Sequence, residues 1–166
     1  MFNHDVLNFR VEKFSLGAFN LIHEGTGGMI DPSLGVGLRR TDSGEPIAIV
    51  SEAYEPVQYL DLVENLEQSI AMSGIDLDGA EFQTNVIGNG EQLELTAKFN
   101  AEATTIDGRN DLVTPQFKFR TSHNRTWANN GMMGYFRSAC YNTLVDGNKL
   151  AYVYGRHSKN FSVSSF

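Results

Sequence analysis

Cysteine, long apolar runs and secretion signals are scarce or missing in this sequence. Cys140 is the single cysteine among the 166 residues, which rules out an internal disulfide and fits a reducing compartment. No apolar run approaches the roughly 20 residues that cross a bilayer, and the N-terminal residues lack the charged and apolar regions of a signal peptide. We therefore expect a cytoplasmic protein without a membrane partner.

Basic residues are also scarce, except towards the C-terminus. Residues 1–111 hold six Lys/Arg against nineteen Asp/Glu, a balance of −13, whereas residues 112–166 hold seven Lys/Arg against Asp146 alone, a balance of +6. The total charge of −7 argues against nucleic acid, but this asymmetry favours a basic surface on an acidic body. It also favours complementary surfaces for self-association, so we expect a homo-oligomer.

The remaining composition is that of a globular protein, with 41% hydrophobic and 20% charged residues. The apolar spacing from Tyr59 to Ile70 predicts a helix over residues 56–73, with Pro56 in its first turn and Gly74 at its C-terminal cap. Strands or hairpins are predicted at residues 36–40, 46–50, 81–100, 115–137 and 149–154. In the hairpin at 81–100, apolar residues alternate along the second strand at Leu93, Leu95, Ala97 and Phe99. We therefore predict one α+β domain over residues 1–160, an antiparallel β-sheet of hairpins packed against one long helix, and a C-terminal tail at residues 161–166.

The predicted hairpin at residues 115–137 combines an apolar side with a basic and aromatic side. Pairing His123 with Thr126 across an Asn124-Arg125 turn sets its register. That register places Lys118, Arg120, Trp127, Asn129, Tyr135 and Arg137 on one side. It places Phe117, Phe119, Ala128, Met132 and Phe136 on the other. The plainest interpretation is a sheet with one buried side and one solvated side.

Four short segments carry a resemblance to a known family. Residues 54–58 look like a Tyr-x-Pro-Val-Gln motif, and residues 122–126 look like Ser-His-Asp-Gly-Ser, with Asn124-Arg125 in place of Asp-Gly. Residues 137–144 look like Arg-Val-Val-Cys-x-Asn-Thr-Leu, and residues 157–158 look like a His-Ser/Thr pair. In this order they resemble the landmarks of a phage/plasmid-like protein family known as domain of unknown function 932. The residues that carry the resemblance are Tyr54, Pro56, Gln58, Ser122, His123, Arg137, Cys140, Asn142, Thr143 and His157.

This resemblance implies a phage or mobile-element source, and hence the cytoplasm of an infected bacterial host, but no chemistry. A second resemblance concerns the fold alone: a curved antiparallel sheet packed on a helix looks like the core of single-strand annealing proteins of the Rad-fifty-two type. It implies that cations and aromatic rings bind single-stranded DNA. The predicted nucleic-acid-binding residues are Lys118, Arg120, Arg125, Trp127, Tyr135, Arg137, Arg156 and Lys159. We therefore predict a phage-encoded DNA-metabolism protein that binds single-stranded DNA, with single-strand annealing in recombination as its role.

Two other functions stay open. One is an interaction protein for host takeover or anti-defence, whose acidic half would mimic nucleic acid. The other is an enzyme in which Cys140 acts with His123 or His157 and with Asn142 as nucleophile, base and orienting residue. Because Cys140 follows an apolar strand, we favour an inert core cysteine and predict no catalytic residue. The histidines have no metal-ligand spacing with Cys140, so no metal and no other cofactor is predicted.

Overall fold

A computed structural model describes residues 1–16, 22–23, 26–27, 35–99, 104–105, 112–137 and 149–155. After a short 3-10 helix, Asp5–Leu7, the chain forms β1 (Val11–Ser15), β2 (Ile22–His23), β3 (Thr26–Gly27), β4 (Val36–Arg40), β5 (Pro46–Val50), α1 (Tyr59–Met72), β6 (Glu81–Ile87), β7 (Gln92–Lys98), β8 (Thr104–Thr105), β9 (Leu112–Ser122), β10 (Asn129–Arg137) and β11 (Lys149–Gly155). This order confirms the α+β class. In the described part of the chain, no helix is long and apolar enough to cross a membrane. The predicted tail, residues 161–166, lies outside the described residues.

All strand pairs in the described residues are antiparallel, and most of them belong to two sheets. A small sheet has the order β1-β4-β5, and a large sheet has the order β11-β10-β9-β7-β6, with β8 paired to β9. The short strands β2 and β3 pair with each other. The predicted hairpins correspond to β6–β7 and β9–β10, and the predicted strand at 149–154 corresponds to β11.

The hydrophobic core joins one side of the large sheet to the helix, the small sheet and the N-terminal segment. On β7, Leu93, Leu95 and Ala97 are fully buried, and the residues between them are half-buried, which is the predicted alternation. The helix contributes a buried stripe at Tyr59, Leu62, Val63, Leu66 and Ile70. These residues belong to one continuous cluster with Leu7, Leu38 and Val50.

The helix has 14 residues, so the prediction of a long helix was wrong, and it begins three positions later than predicted. Gln58 is extended, with φ −69° and ψ 129°, and its side chain bonds to the backbone of Val11. Its Oε1 accepts the Val11 N–H and its Nε2 donates to the Val11 carbonyl, both at 2.9 Å. Pro56 therefore lies before the first turn, and its predicted helical position was wrong. Gly74 follows the helix with φ 73°, as predicted for a C-terminal cap.

Candidate nucleic-acid-binding face

The side of the large sheet that points away from the core carries two rows of aligned residues. Arg120 pairs with Asn130, and Asn130 pairs on its other side with Tyr154. The same register continues through β7 to β6. The first row consists of Asn85, Glu94, Arg120, Asn130 and Tyr154, and the second of Gln83, Thr96, Lys118, Met132 and Tyr152. We call this surface the outer face, since the alternate positions, such as Leu95 and Phe119, are buried in the core.

Two cations of β9 lie at the centre of the outer face. The Arg120 side chain is exposed, and its Nη2 lies 3.3 Å from Oε1 of Glu94, which is opposite it on β7. The guanidinium carbon of Arg120 is 5.3 Å from the centre of the Trp127 ring, within range of a cation–π contact. Lys118 is half-buried, two residues along the same strand. The structure thus brings together Lys118, Arg120 and Trp127.

Two exposed tyrosines add aromatic surface to the outer face, and neither was predicted from the sequence as a site residue. Tyr152 and Tyr154 on β11 are 52% and 59% exposed. Asn130 donates its Nδ2–H to the Tyr152 hydroxyl at 3.0 Å. The signal in the sequence was two tyrosines at alternate positions of a predicted strand. Only the register of β11 against β10 shows that they share the side of Arg120.

The predicted register of β9 against β10 was wrong by one residue. Arg120 pairs with Asn130, so the number of residues between two paired residues is odd. The predicted pairing across a two-residue turn requires that number to be even. The cause is a reciprocal exchange at the end of the hairpin. The Ser122 hydroxyl donates to the Trp127 carbonyl at 3.0 Å and accepts the Trp127 N–H at 2.8 Å. This exchange closes a loop of residues 123–127, which we call the His123 loop.

The corrected register moves three predicted residues off the outer face. Asn129 is fully buried. By backbone register, Tyr135 and Arg137 occupy the same alternate positions of β10 as Asn129, not those of the outer face. Met132 and Phe136, which were predicted on the apolar side, occupy the alternate positions that belong to the outer face. A one-residue slip exchanges the two sides of a strand, so the whole prediction for β10 is inverted.

The His123 loop is stabilised by Asn124. Its Oδ1 accepts from the Thr126 N–H at 3.2 Å and from the Thr126 hydroxyl at 2.6 Å, and its Nδ2 donates to the Glu91 carboxylate at 2.8 Å. Arg125 has φ 66°, in the left-handed region that is strained for most side chains. This is the position at which the family motif has glycine. The chain therefore places an exposed cation where a glycine would fit with less strain.

Residues of the first two family landmarks meet behind the His123 loop. The Tyr54 hydroxyl donates to the Ser122 carbonyl at 3.3 Å. The Tyr59 ring stacks on the His123 ring, with centres 4.3 Å apart and planes at 17°. The Glu91 carbonyl accepts from the Tyr59 hydroxyl at 3.1 Å and from the His123 N–H at 2.7 Å. Burial raises the pKa of both tyrosines above its ordinary value, and their hydroxyls are protonated donors at neutral pH.

The other predicted site residues lie outside the described part of the chain. They are Cys140, Asn142, Thr143, Arg156, His157 and Lys159. The enzyme hypothesis therefore stays a prediction. Of its candidate catalytic residues, the structure describes His123, which is fully buried. Among the described residues, no group of three His, Cys, Asp or Glu side chains is placed to hold a metal ion.

Comparison with known proteins identifies a family. A family model described as Domain of unknown function (DUF932) matches residues 46–164. That span includes α1, the whole large sheet and the His123 loop. The comparisons with curated proteins and with solved structures found no match. Because the family model covers more than half of the chain, the resemblance carried by the four motifs is confirmed, and the chain belongs to the family Domain of unknown function (DUF932).

Proposed function

We propose that the protein binds single-stranded DNA on the outer face of the large sheet. The observation that carries this proposal is the alignment of two exposed tyrosines with two cations across β9, β10 and β11. Binding without sequence preference needs positive charge for the phosphates and aromatic rings for the bases, and each stacked base contributes about 1–3 kcal/mol. Lys118 and Arg120 supply the charge, and Tyr152 and Tyr154 supply the rings.

The distribution of charge supports the same proposal. The two rows of the outer face contain Lys118, Arg120 and a single carboxylate, Glu94, although the whole chain carries −7. Trp127 adds a ring beside Arg120, and Arg125 adds an exposed cation on the His123 loop. The segment with a balance of +6, residues 112–166, contains the two strands, β9 and β11, and the His123 loop that carry these cations and aromatic residues. The outer face is thus slightly positive on a chain whose total charge is −7, which favours the approach of a phosphate backbone.

The proposed biological role is DNA metabolism in the cytoplasm of a phage-infected bacterium. Within DNA metabolism, the proposed activity is single-strand annealing in recombination. The motif resemblance supports the phage source, and an antiparallel sheet packed on a helix supports the annealing role by analogy of fold. Annealing also requires a homo-oligomer, which stays a prediction. In the described part of the large sheet, β6 and β11 are the edge strands, and a second copy would add at such an edge.

A salt series with a labelled single strand tests the proposed function. We expect binding of a fluorescein-labelled thymidine oligonucleotide that weakens as salt rises, because each neutralised phosphate releases counterions. Contacts from Lys118, Arg120 and Arg125 predict a slope of log K against log salt of about −2, at about −0.7 per contact on single strands. Fluorescence anisotropy measures it. Absence of binding at low salt by the folded protein would rule out the proposal.

Replacing Arg125 with Gly is expected to raise stability and lower affinity in the same variant. Gly relieves a left-handed strain of about 1–2 kcal/mol but loses about 0.5–1 kcal/mol to its greater unfolded-state freedom. The net gain is therefore between zero and about 1.5 kcal/mol. Urea denaturation measures the stability. Fluorescence anisotropy measures the DNA affinity, and the slope of log K against log salt should be less steep than that of the original protein by about 0.7.

Arg125→Ala is the matched control, because it removes the cation and keeps the strained backbone. It should show the same loss of affinity without the gain in stability. An Arg125→Gly variant that binds DNA as tightly as the original protein would remove Arg125 from the proposed site.

A further inference from the structure

The spacing of the two exposed tyrosines constrains what can lie on them. Tyr152 and Tyr154 alternate along β11, so their attachment points are about 6.6 Å apart. Neighbouring bases in a stacked strand are about 3.4 Å apart, roughly half that distance. Two adjacent bases therefore cannot each lie on their own ring while they also stack on each other. The rings fit adjacent bases only after the strand has been unstacked.

The cations repeat with the same spacing as the rings. Tyr154 is in the row of Arg120, and Tyr152 is in the row of Lys118. In both rows one strand, β10, separates ring from cation, so the two attachment points are about 9.6 Å apart. Each row thus offers one ring and one positive charge. A nucleotide also has one base and one phosphate, and successive nucleotides of an unstacked strand repeat that pair.

The hydrogen bond from Asn130 to Tyr152 adds an orientation to this arrangement. Asn130 belongs to the row of Tyr154 but donates to the hydroxyl of Tyr152 in the neighbouring row, at 3.0 Å. The contact crosses from β10 to the outer end of the Tyr152 side chain and restricts where its ring can swing. The ring is therefore partly positioned before a ligand arrives, which lowers the entropy lost on binding.

Resting on the proposed function, we infer that the outer face selects unstacked, pyrimidine-rich single strands. Two successive bases lie on Tyr152 and Tyr154, and their phosphates lie on Lys118 and Arg120. Runs of thymine stack weakly on themselves and are flexible, whereas runs of adenine must be unstacked first. The preference comes from this cost of unstacking, so it needs no hydrogen bond to a base edge. A duplex, whose bases are paired and stacked, binds more weakly on the same ground.

Affinities of matched oligonucleotides test this inference. Thymidine and adenosine 20-mers and a duplex of the two are titrated against the full chain, with anisotropy and the fluorescence of Trp127, the single tryptophan, as readouts. We expect the thymidine strand to bind at least about fivefold more tightly than the adenosine strand, the lower limit for one stacked base, and the duplex to bind more weakly than either. Tyr152→Ala and Tyr154→Ala should each weaken binding of the thymidine strand by about 5- to 100-fold and reduce its advantage over adenosine.

The phenylalanine variants separate the rings from their hydroxyls. Tyr154→Phe keeps the ring and should keep the preference, while Tyr152→Phe also loses the bond from Asn130 and should retain most of the affinity. Equal binding of thymidine and adenosine strands, or silent alanine variants, would overturn the inference. If Arg120→Ala still weakened binding in that case, the proposed function would stand. Failure of every oligonucleotide to bind would overturn both.

Discussion

Replacing Tyr59 with Ala is expected to lower the free energy of unfolding by about 3–5 kcal/mol, the range for a large aromatic residue lost from a core. Tyr59 is 1% exposed and is the first residue of α1. Its ring stacks on His123 and makes an edge contact with Phe9 at 5.9 Å, so it joins the helix to the His123 loop and to the N-terminal segment. Urea denaturation followed by circular dichroism measures the loss.

Two variants act as controls for this prediction. Tyr59→Phe keeps the ring and removes the hydroxyl, and the Glu91 carbonyl still accepts from the His123 N–H at 2.7 Å, so we expect a loss of about 1 kcal/mol. Tyr154→Ala removes an exposed ring of the same size and should change stability by less than about 0.5 kcal/mol. Similar losses for Tyr59→Ala and Tyr59→Phe would show that the stacked ring is not what stabilises this junction.

Substitutions of Arg120 and Glu94 are expected to change DNA affinity in opposite directions. In the free protein the Glu94 carboxylate lies 3.3 Å from Arg120 and competes with a phosphate for it. Arg120→Ala should weaken binding by about 10- to 100-fold, the equivalent of one charged hydrogen bond. Glu94→Gln should strengthen it by about two- to fivefold, since an exposed ion pair of this kind contributes at most about 1 kcal/mol. Anisotropy at one fixed salt concentration compares the two variants.

The chain offers a closely matched control for Arg120. Arg10 is 63% exposed against 51% for Arg120, and it also pairs with a carboxylate, Asp61, at 3.1 Å, but it lies before β1 and away from the outer face. Arg10→Ala should leave the affinity unchanged. A loss equal to that of Arg120→Ala would mean that overall charge and not the outer face determines binding. Weaker binding by Glu94→Gln would show that the Glu94 carboxylate does not compete with a phosphate for Arg120.

The parts of the fold that follow from periodic burial were predictable from the sequence. The helical stripe from Tyr59 to Ile70 and the alternation from Leu93 to Phe99 each place one side of an element in the core, and both are buried as predicted. The start of the helix was not predictable in this way. Gln58, the residue before the helix, is extended, and its side chain bonds to Val11, 47 positions away in sequence, a contact that no local pattern predicts.

The site was harder to predict because it depends on register. Side chains alternate between the two sides of a strand, and Phe117 and Phe119 mark the core side of β9. This alternation was enough to place Lys118 and Arg120 together on the other side. On β10 the apolar pattern is weak, and the register depends on whether the loop before it is odd or even. The side-chain exchange at Ser122 decides this, and no short motif for it is present. The side of the sheet on which the tyrosines of β11 lie could not be predicted either, because it depends on the register of β10.

The strand order of the large sheet gives the outer face two parts with different local stabilities. In the described residues β11 bonds to β10 alone, whereas β9 lies between β10 and β7. An edge strand opens locally at a lower free energy than a central strand. Opening of β11 removes both tyrosine rings and leaves Lys118 and Arg120 in place on β9. For the proposed single-strand binding, an opened β11 would leave a surface that attracts phosphates alone, whereas the closed sheet would also hold bases. A bound strand would then shift the population towards the closed sheet through its contacts with the rings.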